Sequence, residues 1–365
     1  MSAPAEAAES PTAPQPDRGH RRLSRRVRTL VIGGVLFIVL AIVALALPVP
    51  YVILGPGPTV NTLGTFDKQP VIAIDGRTPN KVTGNLNLTT VSVSLGHVTA
   101  VQAMLGWLAR DQVVVPRETI IPPGQTQNQI QQQDAEDFSN SQDEAEGAAF
   151  CELNYPKYFG VLGVAAQMKP KGALKIGDRL VSLDGQDIST RPTLEAVLAT
   201  KTPGRSATVV VQRRGVRATA TLTLLAPAAG AKGARMGVTV AQACFAPNFT
   251  VKLGLNNDIG GPSAGMMFAL GIIEKVGTTD LTGGKFIAGT GTIDPTGTVG
   301  PIGGIQLKMI AARRAGATVF LAPASNCTDV RGNVPAGLRV AKVSTLHGAV
   351  QALQDIKAGR STTSC

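Results

Sequence analysis

With one tryptophan, three tyrosines and only 4% aromatic residues in all, the chain offers no platform for stacking nucleobases, so its formal charge of +11 does not make it a nucleic-acid binder. It has only three histidines, and no His, Cys and carboxylate cluster has ligand spacing, so no metal or organic cofactor is implied. The phosphate-cradling pattern G-x-x-x-x-G-K-[ST] does not occur, which leaves no P-loop for an ATP-driven motor. Nothing recurs at a solenoid period. The four cysteines, Cys151, Cys244, Cys327 and Cys365, match no zinc pattern, and their spacing does not fix a connectivity.

What the chain does have is apolar mass: 365 residues with 44% hydrophobic content, enough for roughly two or three domains. Much of the positive charge is local. Arg18, Arg21, Arg22, Arg25, Arg26 and Arg28 crowd the end of a basic, Pro/Ala-rich tail over residues 1–29, whose first part is expected to be disordered. An uncharged run, "LVIGGVLFIVLAIVALAL" from Leu30 to Leu47, follows at once and is about as long as a bilayer core demands of a helix. Residues 30–48 therefore read as a transmembrane anchor. By the positive-inside rule the tail stays cytoplasmic and everything later is extracytoplasmic. A cleaved signal peptide ending near Ala44-Leu45-Ala46 is the alternative. Outside the membrane thiols meet oxidising conditions, and Cys244 with Cys327, in one expected domain, is the pairing anticipated; buried free thiols are the other reading.

Residues 49–154 open with a Pro/Gly-rich exit and continue with strand-like "PVIAIDG" and "NLNLTTVSVSL", then a helical stretch over 99–109. The Gln-rich segment after Pro122 reads as an exposed loop entering a helix near Ala145. Residues 155–226 alternate in a clear order: strand "YFGVLGVAAQ", a Gly177-Asp178 turn into "RLVSL", an Asp184-Gly185 turn, helix "RPTLEAVLAT", and a closing hairpin. This grammar resembles a PDZ domain of the kind found in bacterial proteases. The resemblance implies that an extended peptide adds as a strand beside the helix 192–200, its carboxylate captured near Tyr158, Phe159, Gly160 and Val161.

Residues 234–357 alternate strands and helices with Gly-rich turns, an α+β or α/β pattern. In "DIGGPSAGMMFALGII", Pro262 suits the first turn of a helix that Gly277 stops. Ser263 there is either a helix cap or a nucleophile. Downstream, "GPIGGIQLKMIAARRAGATVF" predicts a helix from near Ile305 to Gly316. At ~100° per residue Gln306, Arg313 and Arg314 share one side and Lys308 points the other way, with Ile305, Ala311 and Ala312. An inward lysine loses charge through desolvation, which is what a general base near neutral pH needs; the alternative is a snorkelling side chain. Amides at Gly261 and Ala264, at the helix start, are then placed to hold an oxyanion.

The two motifs together, Gly261-Pro262-Ser263-Ala264-Gly265 and Pro301-Ile302-Gly303-Gly304-Ile305-Gln306-Leu307-Lys308, resemble the proteolytic domain of Lon-type serine proteases. The resemblance implies Ser263 as nucleophile, Lys308 as base and Thr290 as the residue orienting the lysine. Two positions depart from the family's pattern: Gly260 stands where an acidic residue is usual, with Asp258 the nearest carboxylate, and Thr292 stands where a glutamate is usual. The whole order of segments resembles the membrane-anchored, ATP-independent PDZ/Lon proteases of Gram-positive bacteria. It implies an α+β chain cutting flexible or unfolded envelope and secreted proteins, and a homo-oligomer. The likeness of "GNLNLTTVSVSL" and "DEAEGAAF" to the start of a Lon proteolytic domain further implies that the PDZ unit is an insertion. Two other readings stay open: a catalytically silent PDZ scaffold, and a Ser-His-Asp hydrolase using Ser263, His347 and Asp294 or Asp329.

Overall fold

The structure is a computed structural model and describes residues 24–164, 174–175, 177–213, 215–227, 232–244, 249–255 and 259–365. The tail up to residue 23 and Asp258 lie outside them. Ser24 caps a helix over Arg25–Ala46, an apolar rod long enough to cross a membrane and with no buried residue.

The Pro/Gly-rich exit is itself a strand. Tyr51–Asn61 runs antiparallel to Asn85–Ser94 on one side and to Val113–Pro116 on the other. Its Gly-Pro-Gly-Pro run falls where the register shifts between Pro56 and Thr59, because a proline without an N–H is tolerated at a bulge and not in a regular ladder. Asn85–Ser94 also pairs in parallel with Phe286–Gly289, which pairs in turn with Val319–Pro323 and then Arg339–Val343. A single six-stranded mixed sheet thus draws strands from both ends of the chain.

Alternation along these strands builds two cores. Ile287, Val319 and Leu321 face a cluster formed with the helices Gln127–Glu152, Gly265–Val276 and Leu346–Lys357. Ala288, Phe320 and Ala322 face the opposite side, packed on Ile305, Met309 and Ala312 of the helix Ile305–Ala315. The helix that follows Ser263 and the helix that carries Lys308 therefore lie on opposite faces of one sheet.

The Gln-rich segment is not a loop. Thr126 and Gln129 form a reciprocal capping box, and the helix runs 26 residues from Gln127 to Glu152. Gln and Glu are good helix formers, and Phe138, Ser141, Ala145, Ala148 and Ala149 recur at helical spacing on its buried side.

The middle of the chain forms a second sheet in the order Val216–Thr223, Ser206–Arg213, Arg179–Leu183, Lys157–Val164, Val238–Cys244. The expected turn at Asp184-Gly185 is present, both residues having positive φ between paired Leu183 and Gln186, the geometry of a type I′ hairpin. Buried Asp178 receives Arg213 at 2.6 Å, so the carboxylate is not left unpaired.

The cysteines correct the anticipated Cys244–Cys327 pairing: Cys151 bonds Cys244 and Cys327 bonds Cys365. The reason is topological. Cys244 ends the outer strand of the second sheet beside the last turn of Gln127–Glu152, whereas Cys327 opens a short helix after Val319–Pro323.

Candidate active site

The helix Gly265–Val276 is buried along its whole length, and its N-cap is Ala264 with no side-chain capping bond. Ser263 is thus not the cap. Its Oγ lies 2.6 Å from Lys308 Nζ. The chain bends sharply just before it: Gly261 has φ +79°, a backbone that disfavours other residues, and a side chain at Gly260 would strike Asp134. Asp134 carbonyl accepts the Gly261 N–H at 2.9 Å, and Ser141 Oγ donates to the Pro262 carbonyl at 2.9 Å. The long helix therefore clamps the loop that presents Ser263.

Lys308 arrives from the other face of the sheet. Gly304, at φ +67°, starts the helix Ile305–Ala315, and Gly316 ends it at φ +103°. Ile305, Leu307, Ala311 and Ala312 are buried with Lys308, while Arg313 and Arg314 are exposed, as the periodicity predicts. Lys308 is 3% exposed. Burial pushes its ammonium down to about 8. Thr290 lies just past the end of Phe286–Gly289 and joins the two halves. Its Oγ1 receives Lys308 Nζ at 3.0 Å and donates to the Ser263 carbonyl at 2.9 Å, which also accepts the Gly291 N–H. Serine, lysine and threonine meet where the parallel strands end, the place where open α/β sheets present reactive groups.

Of the amides expected to support an oxyanion, Gly261 N–H is engaged by Asp134, which removes it from that role in this arrangement. Ala264 N–H meets no acceptor among the described residues. The site opens into a cleft of about 540 Å³ walled by Thr89–Val93 of the sheet, Ile120, Ile121 and the first turns of Gln127–Glu152. Sequence reading missed the share of that helix, including Asp134, whose carboxyl burial pushes up. The signal was there in the Thr126…Gln129 capping pattern. Thr292 sits in a two-residue strand against Val299–Gly300.

His347 is not brought to Ser263. Nδ1 lies 2.8 Å from Glu152 Oε1 and Nε2 2.9 Å from Gln351 Nε2, at an exposed helix start. Asp294 accepts from Thr296 and Thr298 within its own turn. No Ser-His-Asp array forms.

In the second sheet, Tyr158–Val161 were expected as a carboxylate-binding loop. They lie instead inside the strand Lys157–Val164, paired along its length with Val238–Cys244, and Val161 N–H donates to Asp178 carbonyl. The sheet has two edge strands, Val216–Thr223 and Val238–Cys244. The Val240 carbonyl of the second accepts from Arg191 of the helix Arg191–Ala199, and that strand follows Gly237 at φ +70°.

Comparison with known proteins adds the following. Residues 257–355 match the family model of the Lon protease (S16) C-terminal proteolytic domain, and residues 147–224 match that of the PDZ domain. No curated protein matches the chain. Among solved structures, the PDZ domain of an SdrC-like protein from Listeria monocytogenes aligns at 17% identity and a TM-score of 0.21, over 23% of this chain and 86% of that one. The second domain of another listeria protein aligns at 20% identity and a TM-score of 0.21, over 23% of this chain and 83% of that one. The chain carries a Lon protease C-terminal proteolytic domain and a PDZ domain, and the two together support a serine peptidase equipped with a PDZ module.

Proposed function

We propose that the protein is an ATP-independent endopeptidase in which Ser263 is the nucleophile and Lys308 the general base. The observation that carries this reading is the 2.6 Å contact between the buried Lys308 Nζ and Ser263 Oγ, with Thr290 holding the amine. A neutral Lys308 takes the Ser263 proton as Oγ attacks the substrate carbonyl. The Ala264 amide faces the oxyanion that forms. Lys308 then returns the proton to the leaving amine, and water releases the acyl group from Ser263 by the same steps in reverse.

Substrates are chains that reach the cleft already extended, because no P-loop is present to unfold them. The edge strand Val238–Cys244 is where a peptide adds to the second sheet. Arg25–Ala46 serves as an uncleaved anchor with the later domains outside the cytoplasm, a placement the two disulfides support. A silent scaffold is the weaker reading, since a lysine desolvated against a serine has no structural purpose that a leucine would not serve better.

The test is cleavage of an unstructured protein by the full chain, without ATP, beside Ser263→Ala and Lys308→Ala. The wild type cuts, and each variant loses on the order of 10⁴-fold or more of the rate. An active Lys308→Ala variant would sink the dyad.

A further inference from the structure

The helix Ala100–Leu108 is amphipathic in the wrong sense for a protein standing free in water. Its small residues, Ala103 and Gly106, face the body and are buried. Its large ones, Met104, Leu105, Trp107 and Leu108, point outward, with Trp107 59% and Leu108 75% exposed. At ~100° per residue Met104, Leu105 and Leu108 share the face opposite Ala103 and Gly106, and Trp107 lies at its border, ~40° from Ala103. A side chain at Gly106 would strike Val114, so the helix is drawn tightly onto the sheet while the apolar residues are turned away from it. No charge occurs from Ala100 to Ala109; Arg110 follows.

What covers this face is indicated by where the helix begins. Pro48 pairs with Thr99 and Val49 with Val98, a two-residue ladder immediately after the apolar rod Arg25–Ala46. Thr99 is the N-cap of Ala100–Leu108, with a full capping box to Gln102. The rod and the exposed helix are thus hydrogen-bonded together at the point where the rod ends, and they pack on each other. Trp107 lies edge-on to Tyr51 at 5.5 Å, and these are the two residue types enriched where a bilayer meets water.

We infer that Ala100–Leu108 is a second membrane contact, lying in the plane of the headgroup–acyl boundary with Met104, Leu105, Trp107 and Leu108 immersed about 5–10 Å. The inference rests on Arg25–Ala46 being retained as an anchor. Its occupant is lipid, not protein. The span and this helix together fix the orientation of the body over the bilayer, which a single flexible tether does not. Strand Asn85–Ser94, whose Val91–Val93 line the cleft, leads directly to the Val98–Thr99 ladder. The cleft wall therefore runs toward the membrane surface, and the substrate class favoured is the membrane-proximal stretch of chains that emerge from the same bilayer.

Trp107 is the only tryptophan in the sequence, so its fluorescence reads this helix alone. The full chain is reconstituted in phosphatidylcholine/phosphatidylglycerol vesicles, plain or brominated high on the acyl chain. Vesicle flotation after a carbonate wash reads the span separately. Expected are carbonate-resistant flotation, an emission shifted to shorter wavelength, loss of intensity in brominated vesicles and protection from aqueous acrylamide. Leu105→Glu/Leu108→Glu, both on the exposed face, keeps flotation but loses the bromolipid quenching. A floating protein whose Trp107 is open to acrylamide and indifferent to bromolipid overturns the inference and leaves the anchor standing. Protection from both quenchers also overturns it, in favour of a second copy covering the face. A chain that washes off the vesicles removes the anchor and this inference with it.

Discussion

Lys308 has a folded-state acidity near 8 against an ordinary value of 10.5, and burial alone is the cause. Two consequences have opposite signs. On the proposed mechanism the neutral amine is the working form, so kcat/KM on an unstructured substrate should rise with pH to an inflection near 8, falling about tenfold per unit below it. For stability, a lysine whose acidity is depressed on folding binds fewer protons in the native state between about 8 and 10.5. Native stability gained by deprotonation is then lost as pH falls toward 8, and at neutral pH the buried ammonium is a cost. Lys308→Met should therefore abolish activity yet raise unfolding stability by up to about 3 kcal/mol, measured by urea denaturation at pH 7. A destabilised Met variant would mean that the lysine's bonds to Ser263 and Thr290 outweigh its desolvation. The meeting of Ser263 and Lys308 was legible in the sequence because both are carried by short local patterns, a Gly-Pro turn before one helix and an inward lysine on another. The state of Gly261 N–H was not, since its acceptor, Asp134, lies far away along the chain.

The helix Gln127–Glu152 is the element that sequence reading undervalued. Its polar composition suggested solvent, but only one stripe needs to be apolar when the rest lines a cleft or faces water. Its partner choice is non-local and so invisible to periodicity: Asp134 and Ser141 hold the loop at Gly261–Pro262. Ser141→Ala should loosen that loop without touching substrate. The expected result is a drop in kcat of roughly fivefold to tenfold, about 1 kcal/mol for one lost hydrogen bond, with KM little changed. A KM effect alone would show that Ser141 matters for binding and not for positioning the nucleophile. The elements with strong periodicity, Gly265–Val276 and Ile305–Ala315, were legible almost to the residue, as was the Asp184-Gly185 hairpin. Tyr51–Asn61 was not, because two prolines and two glycines in a strand contradict local propensity and only the bulge reconciles them.

At the scale of the molecule, a disulfide ties the second sheet to the helix Gln127–Glu152. Cys151 lies in the last turn of the helix that shapes the cleft and Cys244 ends an edge strand of the second sheet, 93 residues later. Closing a loop of that size is worth about 4–5 kcal/mol on a chain-entropy account. Cys151→Ser/Cys244→Ser should lower the Tm clearly, in a scan run under oxidising conditions so that Cys327–Cys365 stays formed. An unchanged Tm would mean that the edge strand is held by its hydrogen bonds alone. The pairing could not be read from spacing, because it depends on the second sheet folding back to the helix from which it departed.

That return has a consequence for how such a chain can change. The Cα atoms of Cys151 and Cys244 are 5.0 Å apart, barely more than one residue step. The described strands between them form the second sheet, which leaves the end of the helix Gln127–Glu152 and returns to it. A segment with coincident ends can be shortened, exchanged or lost in a lineage while the strands and helices on either side keep their places, so the recognition module is free to diversify under a constant chemistry.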